Sequence, residues 1–237
     1  MQTVVRRRFD PDDKTAEVRF PEDAAGAAQA LEQYDALSKL IDSSAPGARY
    51  AALSDHMDID AYLRWDAFHT YVQNGDYVDE TFFAASSEDH GSGQRLYYRN
   101  IAWDSDDLFK ACHHSGQFAY PDPHGLLYCA EGNLDRALLD DPDLYARFLY
   151  ALEALMKIWT PARVEQELAV VKKQLFAVLD DEHVCATSKE GAAEAPEAGT
   201  CDALRAEISE SIDGFVTLLD DRASLLRTGI AAARKTP

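Results

Sequence analysis

The sequence predicts an α+β chain, mainly helical with short hairpins, and three observations carry that expectation. Apolar residues recur at helical spacing over much of the chain, short β-branched and aromatic runs are confined to the first 103 residues, and turn residues separate the two kinds of segment. In order, residues 3–9 and 15–20 read as the strands of a hairpin, with Asp10-Pro11-Asp12-Asp13 supplying the turn. Ala27, Leu31, Tyr34, Leu37, Leu40 and Ile41 set a helix over 24–41, and Ser43-Ser44-Ala45-Pro46-Gly47 breaks it. Asp58 or Asp60 caps a second helix that reaches about Val72, and Asn74-Gly75 ends it. Strand-like runs follow at 81–85, 95–98 and 101–103, the first two separated by a polar tip over 86–93. Beyond Trp103 the chain is loop-rich, with Pro121, Pro123 and Gly125. Asp141-Pro142 and Thr160-Pro161 each place a capping side chain before a proline suited to the first helical turn, so both open long helices. Residues 186–200, rich in Ala, Glu and Gly, read as an exposed connection, and a last helix runs over about 202–233. The segments divide as a hairpin over 1–23, a body over 24–185, the connection over 186–200 and a C-terminal helix over 201–237.

Charge excludes some functions. With 23 Lys+Arg against 42 Asp+Glu, the 237 residues carry a formal charge of −19. A phosphate-backbone binder needs clustered cations, so nucleic acid is a poor partner. No apolar run approaches the roughly 18 residues of a membrane span, and the first eight residues lack the apolar stretch of a signal peptide. Residues 54–107 hold twelve acids against three bases, Arg64, Arg95 and Arg99. That run is either a solvated acidic face or a carboxylate pocket that needs a divalent cation before a phosphate can approach.

The four cysteines fall as two local pairs, Cys112/Cys129 and Cys185/Cys201, without the C-x-x-C spacing of a zinc ribbon. Proximity favours disulfides within each pair, and disulfides place a protein outside the reducing cytosol. Free thiols are one alternative; a zinc site built on Cys112, His113, His114, His124 and Cys129 is another.

Neither a G-x-x-x-x-G-K-S/T loop nor a G-x-G-x-x-G turn occurs, and His90-Gly91-Ser92-Gly93 lacks the strand-to-helix setting of a serine nucleophile. A longer arrangement stands out. A helix carrying Asp58, Asp60, Arg64 and Asp66 ends at Asn74-Gly75-Asp76, a hairpin follows, and its last strand, through Tyr97, Tyr98 and Trp103, runs into Asp104-Ser105-Asp106-Asp107-Leu108-Phe109. One acid after a helix and another past a hairpin is the layout of a kinase-like site, where the first orients the acceptor hydroxyl and the second holds the phosphate-bridging metal.

Those residues resemble the spore-coat-protein-H (CotH) family of atypical protein kinases, which includes secreted bacterial members. Asp58–Asp60, Asn74-Gly75-Asp76 and Trp103–Phe109 carry the resemblance, and Asn133–Ala154 is similar to the helical tail that follows in the family. The likeness spans roughly residues 28–180. It implies the large, C-terminal lobe of a protein-kinase-like fold, with ATP and Mg²⁺ as cofactors. Asp76 would be the catalytic acid, Asp106 and Asp104 would hold the metal, and Asn74 and Thr81 would stand on the nucleotide side. Thr81 departs from the pattern, since kinases usually place an Asn about five residues past the catalytic Asp; Glu80 or Asp79 is then the substitute. Only a hairpin precedes residue 24, and Arg6, Arg7 and Arg8 read as cations on an exposed strand. No phosphate-binding Lys or glycine-rich cover is identifiable, so the chain is expected to be part of a longer precursor and, by itself, to hold ATP no better than about millimolar and to transfer no measurable phosphate. The resemblance implies Ser/Thr phosphorylation of a protein on the cell or spore surface by an extracytoplasmic enzyme. A non-catalytic structural or binding module of the same family is the alternative.

Overall fold

The computed structural model describes residues 2–7, 16–77, 79–89, 93–113, 125–130, 132–180 and 200–235. β1 (Gln2–Arg7) and β2 (Ala16–Phe20) pair antiparallel, as do β3 (Phe82–Asp89) and β4 (Gln94–Ile101). The two hairpins are not separate. β1 also pairs with β3, Val5 opposite Phe83, giving one four-stranded sheet in the order β2-β1-β3-β4. The period of two along the strands sends Thr3, Val5 and Arg7 of β1 and Phe83 and Ala85 of β3 to the buried face.

Helices cover that face. α1 (Ala24–Ser43) packs on β2 and β1 and buries Ala30, Tyr34, Leu37 and Ile41, residues at the spacing of one helical face. Its first turn is closed by Asp23, which accepts from Gly26 N–H at 2.8 Å. A short helix that periodicity could not reveal, α2 (Arg49–Ser54), leads to α3 (Ile59–Val72). Asp58 caps α3 through Ala61 N–H, and its own N–H bonds the Tyr98 carbonyl at 2.9 Å, so the start of α3 is fixed to β4. Tyr34, Tyr62, Phe83 and Tyr98 meet between sheet and helices with ring centroids about 6 Å apart, the tilted and edge arrangements aromatic pairs favour.

α4 (Asn133–Asp140) and α5 (Pro142–Ile158) are separated by Asp141, whose carboxylate accepts from Asp143 and Leu144 N–H and also from Gly47 N–H at 2.6 Å. α6 (Pro161–Leu179) opens on Thr160, which accepts from Arg163 N–H, and α7 (Thr200–Ala233) is the longest described helix. The chain forms two compact units, residues 1–155 with 226–237, and residues 156–225. The first holds the sheet and α1–α4. The second holds α6 and most of α7, where Arg205 reaches the Leu179 carbonyl and the Asp180 carboxylate. No helix among the described residues is long and apolar enough to cross a membrane.

Two expectations change. The runs 95–98 and 101–103 are one strand that stops at Ile101, leaving Trp103 beyond it. The polar tip shrinks because Ser86–Asp89 stay paired with residues 94–97, their polar side chains alternating toward solvent. Cys112 and Cys129 are joined by a disulfide with Cα atoms 5.5 Å apart, which removes both sulfur ligands from the zinc alternative; His114 and His124 lie outside the described residues. Cys201 is disulfide-bonded, and Cys185, its expected partner, also lies outside them. Closing a loop of 17 residues restricts the unfolded chain by about 3 kcal/mol. The Cys112→Ser/Cys129→Ser protein is therefore expected to lose about that much stability in urea titration.

Candidate active site

α3 ends where Gln73 enters the left-handed region at φ 48 and returns its N–H to the His69 carbonyl. Residues 74–77 then run alongside residues 107–113. Gly75 N–H donates to the Asp107 carbonyl at 2.9 Å, Phe109 N–H to Val72 at 2.9 Å, Lys110 N–H to Gln73 at 3.2 Å and His113 N–H to Gly75 at 2.8 Å. Glycine is required here for contact rather than for dihedral freedom: a Cβ on residue 75 would lie 2.3 Å from the Ala111 carbonyl oxygen. The disulfide reinforces the same join, since Cys129 is buried beside the Asn74 and Gly75 carbonyls while Cys112 belongs to the adjoining segment. Past β4, Asp104 adopts φ 42, a conformation Asp tolerates, and Asp106 N–H donates to the Asp104 carbonyl at 3.0 Å. Two acidic loops distant in sequence are thereby held side by side, with Asp76 half-buried and Asp104 and Asp106 exposed.

Glu80 registers their proximity. It is only 5 % exposed and accepts from Asn74 Nδ2 at 2.7 Å. Burial pushes its carboxyl up to about 7, the fields of Asp76, Asp106 and Asp104 push the same way, and the Asn74 bond opposes them. In the folded protein Glu80 thus keeps its proton to a higher pH than the ordinary 4.5, so its contribution to stability falls as pH rises from about 4.5 to about 7. Carbon-detected NMR should show a Glu80 midpoint near 7 without divalent metal. Asp106→Asn, or added Mg²⁺, should lower that midpoint; a midpoint indifferent to both would separate Glu80 from the acidic loops.

Asn74 is fully buried, and its Oδ1 accepts from Asp76 N–H at 3.1 Å. Thr81 is also fully buried; its hydroxyl donates to the Tyr77 carbonyl at 2.7 Å and accepts from Trp65 Nε1 at 3.4 Å. That hydroxyl closes the 77–81 turn. Thr81 and Asn74 are built into the loop, and of the three residues it is Glu80 that shares the field of the acids.

Beneath the loop lies a polar layer. Arg7 is 4 % exposed, which corrects its reading as an exposed strand cation. Its Nη1 donates to Tyr62 Oη at 2.8 Å and to Asp135 Oδ1 at 3.1 Å, and Tyr62 Oη donates to the same Asp135 oxygen at 2.9 Å. The guanidinium stands 5.1 Å over the Tyr77 ring, and His69 stacks on that ring with centroids 5.2 Å apart. Burial, then Arg7, pushes His69 down to about 3, so it is neutral; burial, then Asp135, pushes Asp66 well above the carboxylate range. Among the described residues, no hydrogen bond of ordinary geometry reaches the Asp66 carboxyl or the His69 ring, and the Tyr77 hydroxyl lies near enough to Asp66 to oppose its shift. Arg6, one residue earlier, donates through Nε to the Asp79 carbonyl and lies over Phe82.

Among the described residues, no three His, Cys, Asp or Glu side chains are arranged to hold a metal ion. Mg²⁺ nevertheless binds through one or two carboxylates plus phosphate oxygens and water, rather than through an all-protein cage. Asp76, Asp104, Asp106 and Glu80 are hard oxygen donors, so the set fits that metal in kind.

The CotH kinase protein family matches residues 5–226, from within β1 to within α7. The chain belongs to this family. A search of curated proteins returned no match. The CotH match is wider than the 28–180 span legible from motifs, and it takes in the N-terminal strand that carries Arg6 and Arg7. The residues sequence reading missed in this CotH chain are Arg7 and Asp135. They are 128 positions apart, and no local pattern links them.

Proposed function

We propose that this CotH-family chain is a Mg²⁺- and ATP-dependent protein kinase acting on Ser or Thr hydroxyls of a surface protein in an extracytoplasmic setting. The observation that carries the reading is the pairing of the two acidic loops, Gly75 N–H on the Asp107 carbonyl and His113 N–H on the Gly75 carbonyl, with Glu80 buried against Asn74 at the same join. Ordinary turn acids scattered over a surface would not converge in this way.

In this reading Asp76 accepts a hydrogen bond from the acceptor hydroxyl and takes its proton as the oxygen bonds to the terminal phosphorus of ATP, while the bond from that phosphorus to the bridging oxygen breaks and ADP leaves. Asp106, with Asp104, would hold Mg²⁺, and Glu80 replaces the Asn expected at position 81. Bound there, Mg²⁺ supplies the positive charge that lets phosphates approach the carboxylates. Asn74 fixes the Glu80 carboxyl through Nδ2 and the Asp76 backbone through Oδ1. Arg6 adds a cation at the same loop. The disulfide suits an oxidising compartment.

Calorimetric titration tests the reading. Mg·ATP should bind with a Kd of about 1 mM, near −4 kcal/mol, and binding should vanish in EDTA and in the Asp106→Asn protein. Equal binding with and without metal would remove Asp106 from the site. One observation favours the non-catalytic alternative: Thr81 stands where a kinase usually has a metal ligand, and its hydroxyl is tied to Tyr77. Nucleotide binding without phosphate transfer would decide for that alternative.

A further inference from the structure

We infer that Arg7 is a positioning residue for Asp76, acting through Tyr77 from beneath the loop; the inference rests on the kinase reading for its link to catalysis, though not for its link to loop order.

Tyr77 follows Asp76 directly and is fully buried, in a stretch between α3 and β3 that has no regular secondary structure. The Arg7 guanidinium and the stacked His69 imidazole both hold its ring, and Cys129 of the disulfide packs with it. Its carbonyl accepts the Thr81 hydroxyl, and the Asp76 carbonyl accepts Asp79 N–H at 3.1 Å and Glu80 N–H at 3.2 Å. Fixing Tyr77 therefore fixes the peptide on which Asp76 is carried and the turn that presents Glu80.

Arg7 is itself over-determined. Its backbone N–H donates to the Thr81 carbonyl at 2.8 Å, so β1 reaches the end of the same turn. Its side chain is shared by Tyr62 of α3 and Asp135 of α4, and Asp135 also accepts Gly132 N–H at 2.6 Å. A Cβ on residue 132 would meet Arg7 Nη1 at 3.0 Å, so the guanidinium is closely packed on this side too. A planar guanidinium can hold a carboxylate and a hydroxyl in its plane and present its face to a ring, which an ammonium cannot do. The groups facing it from each element are Tyr34, Tyr62, Asp66 and His69 on the helices, Tyr77 in the loop and Asp135 on α4. Buried ion pairs are not in general more stabilising than apolar pairs of the same volume. The structure assigns this one the further task of joining the N-terminal strand to the loop bearing the acids.

The test uses the full chain with Arg7→Lys, and with Arg7→Met/Asp135→Asn, in which neither charge remains alone. Amide hydrogen exchange is read at Gly75, Asp79 and Glu80, with Phe148 and Leu149 in α5 as references in the same unit. The expected result is exchange at least tenfold faster at the three loop amides, with the references unchanged. In phosphate transfer, kcat should fall at least tenfold while KM for Mg·ATP stays within twofold. Loop amides exchanging at the wild-type rate, or loop and references accelerating by one common factor, would overturn the inference, as would an unchanged kcat. A wild-type protein that transfers no phosphate refutes the kinase reading alone, and the exchange data still decide for or against Arg7.

Discussion

Asp76→Asn is expected to reduce phosphate transfer by about a thousandfold while leaving Mg·ATP affinity within a few-fold of wild type. The amide is nearly isosteric, so the Asp79 and Glu80 N–H bonds to the residue 76 carbonyl are retained. What is lost is the carboxylate that orients and deprotonates the acceptor hydroxyl, a contribution made mainly in the transition state. A loss of about 10³ corresponds to about 4 kcal/mol of transition-state stabilisation and belongs in kcat rather than in KM. Removing one negative charge also lessens the field on Glu80, whose midpoint should move down from about 7. A variant whose KM rises with kcat unchanged would place Asp76 among binding groups instead.

Asp135→Ala should be the most destabilising single substitution in the N-terminal unit, costing about 3–5 kcal/mol. The reason is the partner left behind. Asp135 is fully buried and Arg7 is 4 % exposed, so the guanidinium is left shielded from bulk solvent without its carboxylate. The variant also strips the acceptor from Tyr62 Oη and from Gly132 N–H at the start of α4. Arg7→Met alone should cost a similar amount by leaving the carboxylate unpaired, whereas Arg7→Met/Asp135→Asn should cost much less than the sum. Urea midpoints for the four proteins complete a double-mutant cycle. Additive losses would show that the two side chains act independently.

Much of the fold was legible because its signals are local. Asp23, Asp58, Asp141 and Thr160 all accept from N–H groups in the first turn of a helix, and the sequence bounds all four helices at those residues or within a position or two of them. The strands were legible in kind but not in extent, since pairing across β3 and β4 holds polar residues that alternation alone would release. Joining of β1 to β3 was invisible, because nothing local in residues 2–7 names residues 82–86 as their partner. The acidic loops could be found from spacing and resemblance. The depth of Arg7 could not, since an arginine run next to a turn looks solvated until Asp135, brought in by a helix far along the chain, is placed against it. Thr81 was the weak point of the motif, and its burial against Tyr77 and Trp65 gives a physical reason for looking to its neighbour Glu80.

The central claim is that this carboxylate cluster transfers phosphate, and label transfer tests it most directly. The wild-type protein, with Mg²⁺ and γ-labelled ATP at concentrations above 1 mM, is incubated with a Ser/Thr-containing acceptor protein beside Asp76→Asn, Asp106→Asn and an EDTA control. Because the family match takes in β1 as well as the body, the account predicts label on Ser or Thr in the wild-type reaction, against the expectation from motifs that this chain alone is inactive. It predicts at least a hundredfold less in the other three. Equal label in all four, or none in any, would contradict it.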